Sequence, residues 1–378
     1  MASRLKPSID IDLSALAANF RALAAATPGA APAGVVKCDA YGLGLAPVAR
    51  TLALKENCAH FFVAYAETGA TLRAALVDAA PKAEIFIFNG PGEEALAEYH
   101  ASRLTPVINT LEQAALWASA FPGAPAALHV DTGMNRLGLI PADIDALLAI
   151  KGLNIDLIMS HFACASTPGA AMLAQQHAAF DEIARHFPGA RKSLASTGGA
   201  LISKDYGYDL TRLGVGLYGV GPFGDPHTDI GPVATLSAPV IQRRTVKAGD
   251  SVGYDATRRF GAPAQLATLA LGYGDGFPRA GSNKAQVFLG GALCPVVGIV
   301  SMDLIVVDVT AAPAPVAVGE RAELFGPSLP IETAARACGT IGYELLTSLG
   351  ARIDRRYLFE GAPADPAMLA PPTRGENE

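Results

Sequence analysis

The sequence predicts an α/β chain built as a (β/α)8 TIM-type barrel followed by a mostly β C-terminal domain. Three observations carry this. Eight short apolar runs alternate with helix-period segments between about Ile9 and Gly219. The runs are continuous rather than alternating, as strands covered on both faces of a parallel sheet are. After Gly224 the helical periods fade, and short β-rich runs punctuated by Gly and Pro take over. The competing arrangement, an open doubly wound sheet, usually has fewer strands and a Gly-rich nucleotide loop after the first, and no GxGxxG follows the first strand here.

Taken in order, Leu13–Ala25 reads as a helix preceding the first strand. The candidate strands are GVVKCDA from Gly34, HFFVAYA from His60, EIFIFNG from Glu84 and LTPVIN from Leu104. PAALHVDTG from Pro125, IDLIMSHFA from Ile155, KSLASTGG from Lys192 and LTRLGVGLYG from Leu210 complete the set. Residues 46–56, 68–78, 111–120, 141–150 and 170–187 have helical period; residues 200–204 are too short to assign. The barrel is expected over residues 1–230 and the β domain over 231–378. Two helical pieces, 331–337 and 343–348, fall in the β domain. Its Pro-rich, polar tail beyond Gly361 is expected to be loosely ordered.

Composition bounds the function. Of 378 residues, 51% are hydrophobic and 17% charged, which indicates a well-buried globular protein. Net charge is −6 without a basic block, which argues against nucleic acid or an anionic membrane as a partner. Cys38, Cys58, Cys164, Cys294 and Cys338 are scattered and form no CxxC pair, as suits a reducing compartment; no metal-site spacing is present. MASRLKPSIDIDLSA lacks an apolar signal core, and no run has transmembrane length, so a cytoplasmic enzyme or binding protein is expected.

In this fold reactive side chains sit at the C-terminal ends of strands. Those ends carry Lys37 and Tyr41, His129 and Arg136, His161, Ser196 and Thr197, then Arg212, Gly214 and Val215. Lys37 is either a surface lysine just past a strand or a lysine aimed into a pocket, able to deprotonate and act as a Schiff-base former. Ser196, Thr197 and the backbone at Gly214 and Val215 supply hydroxyls and N–H groups where this fold commonly binds phosphate; a plain turn with no ligand is the other reading. Arg212 shares a strand face with Gly214 and needs an acceptor, from a ligand or from a neighbour such as Asp209. His161 and His129 fit a hydrogen-bonded core role as well as a catalytic one. A phosphate site and a reactive lysine in one barrel mouth suggest pyridoxal 5′-phosphate.

The stretch VVKCDAYGLG resembles the cofactor-lysine motif of bacterial alanine racemases, usually close to AVVKANAYGHG. The similarity continues in order through HVDTGMNRLG, SHFACA, LTRLGVGLYG, SVGYDATRRF, LGYGDGFPR, GIVSMDLIVVDV and IGYELL, nearly the whole chain. It implies a pyridoxal phosphate enzyme interconverting L- and D-alanine and feeding D-alanine to peptidoglycan. By this resemblance Lys37 holds the cofactor and is one catalytic base, and Tyr254 is the other. Racemisation needs two such groups on opposite faces of the substrate Cα. Arg212 would face the pyridine nitrogen and leave it unprotonated, which disfavours transamination. His161 would link Tyr254 to Arg212. Tyr41, Thr197, Gly214 and Val215 would hold the phosphate, with Ser196 beside them. Arg136 would reach the cofactor's phenolic oxygen and the substrate. Met302, through its backbone N–H, would bind the substrate carboxylate, Asp303 would support that loop and Tyr273 would line the entrance. The resemblance also implies a head-to-tail homodimer in which Tyr254, Tyr273 and Met302 complete the partner's site.

The chain departs from the family at His129, where a lysine usually becomes a carbamate that bridges to the arginine matching Arg136. Histidine cannot form it, so a bound anion such as chloride, or a direct neutral-imidazole contact, is expected to orient Arg136. Ser196-Thr197 replaces an Asn-Ser pair and keeps a hydroxyl. No tyrosine near LLTSLGARID is assigned to the phosphate. Three other functions are weighed. A racemase of broader specificity remains open. A non-catalytic cofactor carrier would lack the β domain. A decarboxylase of basic amino acids would bring a cysteine motif that VGYDAT does not match.

Overall fold

Strand β1 (Ser8–Asp12) and helix α1 (Leu13–Ala25) open the described part of the computed structural model, residues 5–370. Asp12 ends the strand and caps the helix. Its Oδ1 accepts from the N–H of Ser14 at 2.9 Å and of Ala15 at 3.0 Å. Leu13, Leu16, Phe20 and Leu23 then recur at helical spacing, and all four are buried.

Eight parallel strands follow: β2 (Ala31–Val35), β3 (His60–Val63), β4 (Glu84–Ile87), β5 (Thr105–Ile108), β6 (Pro125–His129), β7 (Asn154–Met159), β8 (Arg191–Ser193) and β9 (Leu210–Leu213). They pair in the order β8-β7-β6-β5-β4-β3-β2-β9. A single parallel bridge, Ser196 to Arg212, with Arg212 N–H donating to Ala195 O at 3.0 Å, brings the outer two together. This is the predicted eight-stranded, nearly closed barrel. With them come a left-handed turn, α2 (Lys37–Tyr41), and the helices α3 (Leu45–Glu56), α4 (Ala66–Ala75), α5 (Leu96–Ala101), α6 (Leu111–Ala120), α7 (Ile144–Leu148), α8 (Ala171–Ala184) and α9 (Thr197–Ile202). The barrel centre is apolar, with Phe62 stacked on Phe86 at 4.6 Å and on Phe88 at 5.0 Å. At the N-terminal ends of the strands an ionic set crosses the barrel. Arg191 grips Glu84 through two bonds of 2.8 and 2.9 Å and also bonds Asp156, while His60 lies 2.8 Å from Glu84.

The rest of the chain forms β10 (Ala234–Val246), β11 (Ser251–Val252), β12 (Arg258–Arg259), β13 (Ala264–Leu269), β14 (Gln286–Leu289), β15 (Ala292–Pro295), β16 (Ile305–Asp308), β17 (Arg321–Phe325), β18 (Asp354–Phe359) and β19 (Ala362–Pro363). Helices α10 (Ile331–Ala337) and α11 (Gly342–Thr347) lie between β17 and β18. Strand β10 is the organiser: its first half pairs with β1 and β17, and its second half, after a register shift at Val240/Gln242, pairs with β13.

Three expectations change. Ser8–Asp12 belongs to this second sheet, pairing antiparallel with β10 and parallel with β18, because Ile9 and Ile11 need both neighbours to be buried. The compact units therefore do not divide at 230/231: residues up to Ala15, 41–43 and 218–364 form one, and the barrel with the segment from Asp365 forms the other. The segment beyond Gly361 is also ordered as far as it is described. It forms β19 and a short helix, α12 (Pro366–Leu369), capped by Asp365, and the Ala367 carbonyl accepts from buried Arg50 at 2.7 Å. Residues 371–378 of the expected tail lie outside the described residues. No helix among the described residues is long and apolar enough to cross a membrane.

Candidate active site

Lys37 follows β2 at the C-terminal end of the barrel, half-buried, its Nζ 5.7 Å from the centre of the Phe88 ring. Burial pulls its amine below the ordinary lysine value; Arg136 adds to this and Cys38 opposes it. The turn expected through Asp39, Tyr41, Gly42 and Gly44 is there, and its left-handed course is new. Cys38, Asp39, Ala40 and Tyr41 all have φ between 51 and 56°. The left-handed region costs an L-residue roughly 1–2 kcal/mol, and runs of it are rare. Such strain is retained where the surroundings over-determine it, typically at a functional site. Here the Asp39 carbonyl accepts from Gly44 N–H at 2.9 Å and its Oδ1 from Leu45 N–H at 2.7 Å. Gly42 follows at φ 83°, and a Cβ there would strike the Leu346 carbonyl.

Arg212 on β9 is fully buried and donates to Ser193 O at 2.9 Å, Ser193 Oγ at 2.6 Å, Leu194 O at 3.2 Å and Ser160 O. Its Nη2 also lies 3.4 Å from His161 Nδ1. These bonds engage Nη1 and Nη2, and Nε makes none to a described residue. Burial pushes this guanidinium down to about 9, so it stays cationic at neutral pH. His161 is held at about 3 by burial and then by Arg212, Arg136, His129 and Lys37. The five groups therefore share one electrostatic neighbourhood, and His161 is a neutral imidazole.

Thr197 opens α9 and its Oγ1 accepts from Gly214 N–H at 3.1 Å and Gly216 N–H at 3.4 Å. Gly214 N–H is thus satisfied by a hydroxyl rather than left free for an anion. The Thr197 hydroxyl, accepting twice, has its own hydrogen to give. Ser196 caps α9, half-buried, and Val215 begins a 3-10 turn whose first N–H groups have no partner within it. Tyr41 stacks on Tyr218 at 4.5 Å, and Tyr343 tilts beside Tyr41 at 6.5 Å. Tyr343 was passed over in the sequence although it lies within the IGYELL match.

Arg136 is exposed on the loop after β6, and His129 is buried at that strand's end, bonded through Nδ1 to Asn109 Oδ1 at 2.9 Å. Asn109 ends the LTPVIN run, where a neutral amide carries no signal of its own. A supporting residue, Gln176, is fully buried on α8. It donates to Thr132 Oγ1 at 3.3 Å and His161 O at 3.0 Å, and accepts from Ala163 N–H at 2.9 Å. It staples the loop that carries Arg136 to the loop that carries His161.

In the other unit, Tyr254, Tyr273 and Met302 are 68, 42 and 56% exposed. Tyr273 N–H donates to Ser301 O at 3.0 Å, and Gly274 N–H to Met302 O at 2.8 Å, so the two loops are tied together. Arg352 braces them, 3.0 Å from Asp275 and 2.8 Å from Asp303.

The barrel residues fit a phosphorylated aldehyde cofactor. There is an amine of lowered basicity, a hydroxyl and an N–H group for a phosphate, and a cationic Arg212 with one N–H uncommitted. Comparison with known proteins agrees. Residues 11–222 match the alanine racemase N-terminal domain family and residues 233–357 the C-terminal domain family. The chain is 43% identical to an alanine racemase of Methylobacterium nodulans over 359 residues, 93% of this chain and 95% of that one. It is 40% identical to a catabolic alanine racemase of Agrobacterium fabrum over 93% of this chain and 92% of that one. Among solved structures, the alanine racemase of Bartonella henselae with covalently bound pyridoxal phosphate superposes with a TM-score of 0.88. That pair is 35% identical over 93% of this chain and 99% of the other. The biosynthetic alanine racemase of Pseudomonas aeruginosa gives 0.86 at 34% identity, over 94% and 99%. With both of its domains matched in order along nearly their whole length, the chain belongs to the alanine racemase family.

Proposed function

We propose that Lys37 and Tyr254 are the two bases with which the chain carries out its family's reaction, the pyridoxal phosphate-dependent interconversion of L- and D-alanine. The observation that carries the assignment is Lys37 itself: a strand-end amine, pulled below its ordinary basicity by burial, beside cations and on a strained turn. A neutral amine can take the proton from the substrate Cα; an ammonium cannot. When bound, the cofactor spreads the negative charge that develops at that carbon.

Thr197, Val215 and Tyr41 hold the phosphate, with Ser196 at the edge and Gly214 presenting Thr197. With the cofactor bound, Arg212 would offer its uncommitted Nε–H to the pyridine nitrogen. It keeps its own proton and leaves that nitrogen unprotonated, which favours return of the proton to Cα over transamination. His161, neutral beside Arg212, passes that charge toward Tyr254. Arg136 serves the phenolic oxygen and the substrate, and Met302, Asp303 and Tyr273 form the substrate side.

The exposed Tyr254, Tyr273, Met302 and Leu304 of one unit, and Tyr65, Leu137 and Ile140 at the barrel mouth, are large side chains that a second copy of the chain would cover. This supports the head-to-tail homodimer. The cellular role that follows is supply of D-alanine for peptidoglycan in the cytoplasm.

Borohydride should fix the cofactor in the wild-type protein and release it unfixed from Lys37→Ala. Tyr254→Phe should lower turnover by roughly 10²–10⁴-fold while retaining the cofactor. Equal loss of cofactor and turnover in Tyr254→Phe would refute its role as a base. Assays on alanine, serine and lysine enantiomers separate an alanine racemase from one of broader specificity.

A further inference from the structure

Three cations gather at the barrel mouth, and two of them are held by the protein. Lys37 lies over Phe88, and Arg212 donates to three carbonyls and a hydroxyl. Arg136 has no hydrogen-bond acceptor among the described residues. The nearby carboxylate in sequence, Asp131, turns its Oδ1 to Gly133 N–H and Met134 N–H, both at 2.8 Å, and makes no ion pair with Arg136 among the described residues. An unpartnered guanidinium on an exposed loop keeps its rotamer freedom, so something must select one orientation.

His129 is close enough to feel the Arg136 charge, and the structure fixes which of its nitrogens is free. Asn109 Nδ2 donates to Phe88 O and to Val107 O, both at 2.9 Å. An amide nitrogen only donates, so these two bonds settle which end of the amide faces the histidine. The end 2.9 Å from His129 Nδ1 is oxygen, and it only accepts. Nδ1 therefore carries the hydrogen, and in the neutral ring Nε2 is a bare lone pair. The ring is neutral because it is buried beside Arg212 and Arg136, with Asp131 alone opposing them. These place it at about 4.

We propose that His129, locked by Asn109 in the Nδ1–H tautomer, is a positioning residue whose Nε2 accepts a hydrogen bond from the Arg136 guanidinium. The proposal rests on the reading of Arg136 as a cofactor-binding residue. A neutral acceptor at this place orients a cation without adding charge to a mouth that must also take a phosphate. The same Asn109 side chain ties the ring to the backbone of Phe88, so the aromatic surface under Lys37 and the acceptor for Arg136 move as one piece.

The test uses holoenzyme labelled with ¹⁵N-histidine, the His129 signals being identified by their loss in His129→Gln. At neutral pH the wild type should show a protonated Nδ1 and an unprotonated Nε2. Cofactor retention under dialysis should fall about tenfold to a hundredfold in His129→Leu, the range for a hydrogen bond to a charged group. His129→Gln keeps an acceptor and should recover most of that loss. In Asn109→Asp the new carboxylate joins Asp131 in favouring the imidazolium against Arg136 and Arg212, with neutral His161 also beside the ring. Nε2 then stops accepting as pH falls, and retention should acquire an acid limb that the wild type lacks near neutrality. An Nε2–H tautomer, an imidazolium in the wild type at neutral pH, or equal retention in His129→Leu and His129→Gln would overturn the proposal. Wild-type retention that requires chloride and fails in acetate would overturn it in favour of a bridging anion. A wild type that takes up no cofactor would overturn the reading beneath it as well.

Discussion

At the N-terminal ends of the barrel strands, Arg191 forks onto Glu84 and reaches Asp156, and His60 completes the set; every charge there has an opposite. At the C-terminal ends, Lys37, Arg136 and Arg212 meet two histidines that burial and neighbouring cations keep neutral. One end satisfies its charges within the protein, and the other holds positive charge that a phosphate and a carboxylate would satisfy. The same eight strands thus carry stability at one end and chemistry at the other. The backbone repeats the contrast, since the left-handed turn at Cys38–Tyr41 lies at the mouth.

Acid should separate the two ends. His129 and His161 sit at about 4 and about 3 in the folded protein, below the ordinary 6.5. The unfolded chain protonates these rings first, so stability should fall as pH drops below about 6.5 and level off below the folded values, by a few kcal/mol in all. Glu84 sits at about 2 against an ordinary 4.5, chiefly through its bond to His60. Its stabilisation is complete above 4.5 and should be lost as pH falls through about 2. Urea midpoints against pH should show both windows. His129→Gln with His161→Gln should flatten the upper one, and Glu84→Gln the lower. If Glu84→Gln altered the upper window, the two ends would not be independent.

Arg191→Met strips the partner from two carboxylates. The side chains are 31–45% exposed, so solvent screens them, and the loss should be about 1–2 kcal/mol. Turnover should be unchanged, which sharpens the contrast; a proportionate loss of both would erase it. The smallest effect is expected at the mouth. Cys38→Gly relieves a left-handed residue but frees the unfolded chain, for a net gain of about 0.5 kcal/mol. Calorimetry should show a slightly higher Tm while turnover falls, because Lys37 is held less firmly. A lower Tm would mean that the turn stores no strain.

Much of this was legible in the sequence. The barrel strands announce themselves as apolar runs, and α1 was read at its observed bounds, because local periodicity is what buries Leu13, Leu16, Phe20 and Leu23. β1 was not legible: SIDID is short, and its partners lie more than two hundred residues away. The left-handed turn was hidden because Cys, Asp, Ala and Tyr state no preference for it. Lys37, Arg212 and His161 stand out as charged or titratable residues ending apolar runs. Asn109 and Gln176 do not, since a neutral amide at a strand end or on a helix carries no signal until its partners are known. Tyr343 could have been found by carrying the IGYELL match through residue by residue.

The pairing of β1 also sets an order of assembly during synthesis. Ser8–Asp12 is made before every barrel strand, yet its parallel neighbour Asp354–Phe359 is made after all of them. Everything the barrel strands require has been made by Leu213. The short strand with its two buried isoleucines therefore waits through the whole of barrel synthesis for its first partner, β10. Its other edge is covered only when β18 is made, so a chain truncated before Asp354 has a complete set of barrel strands and an open sheet edge on β1, the kind of surface on which misassembly starts.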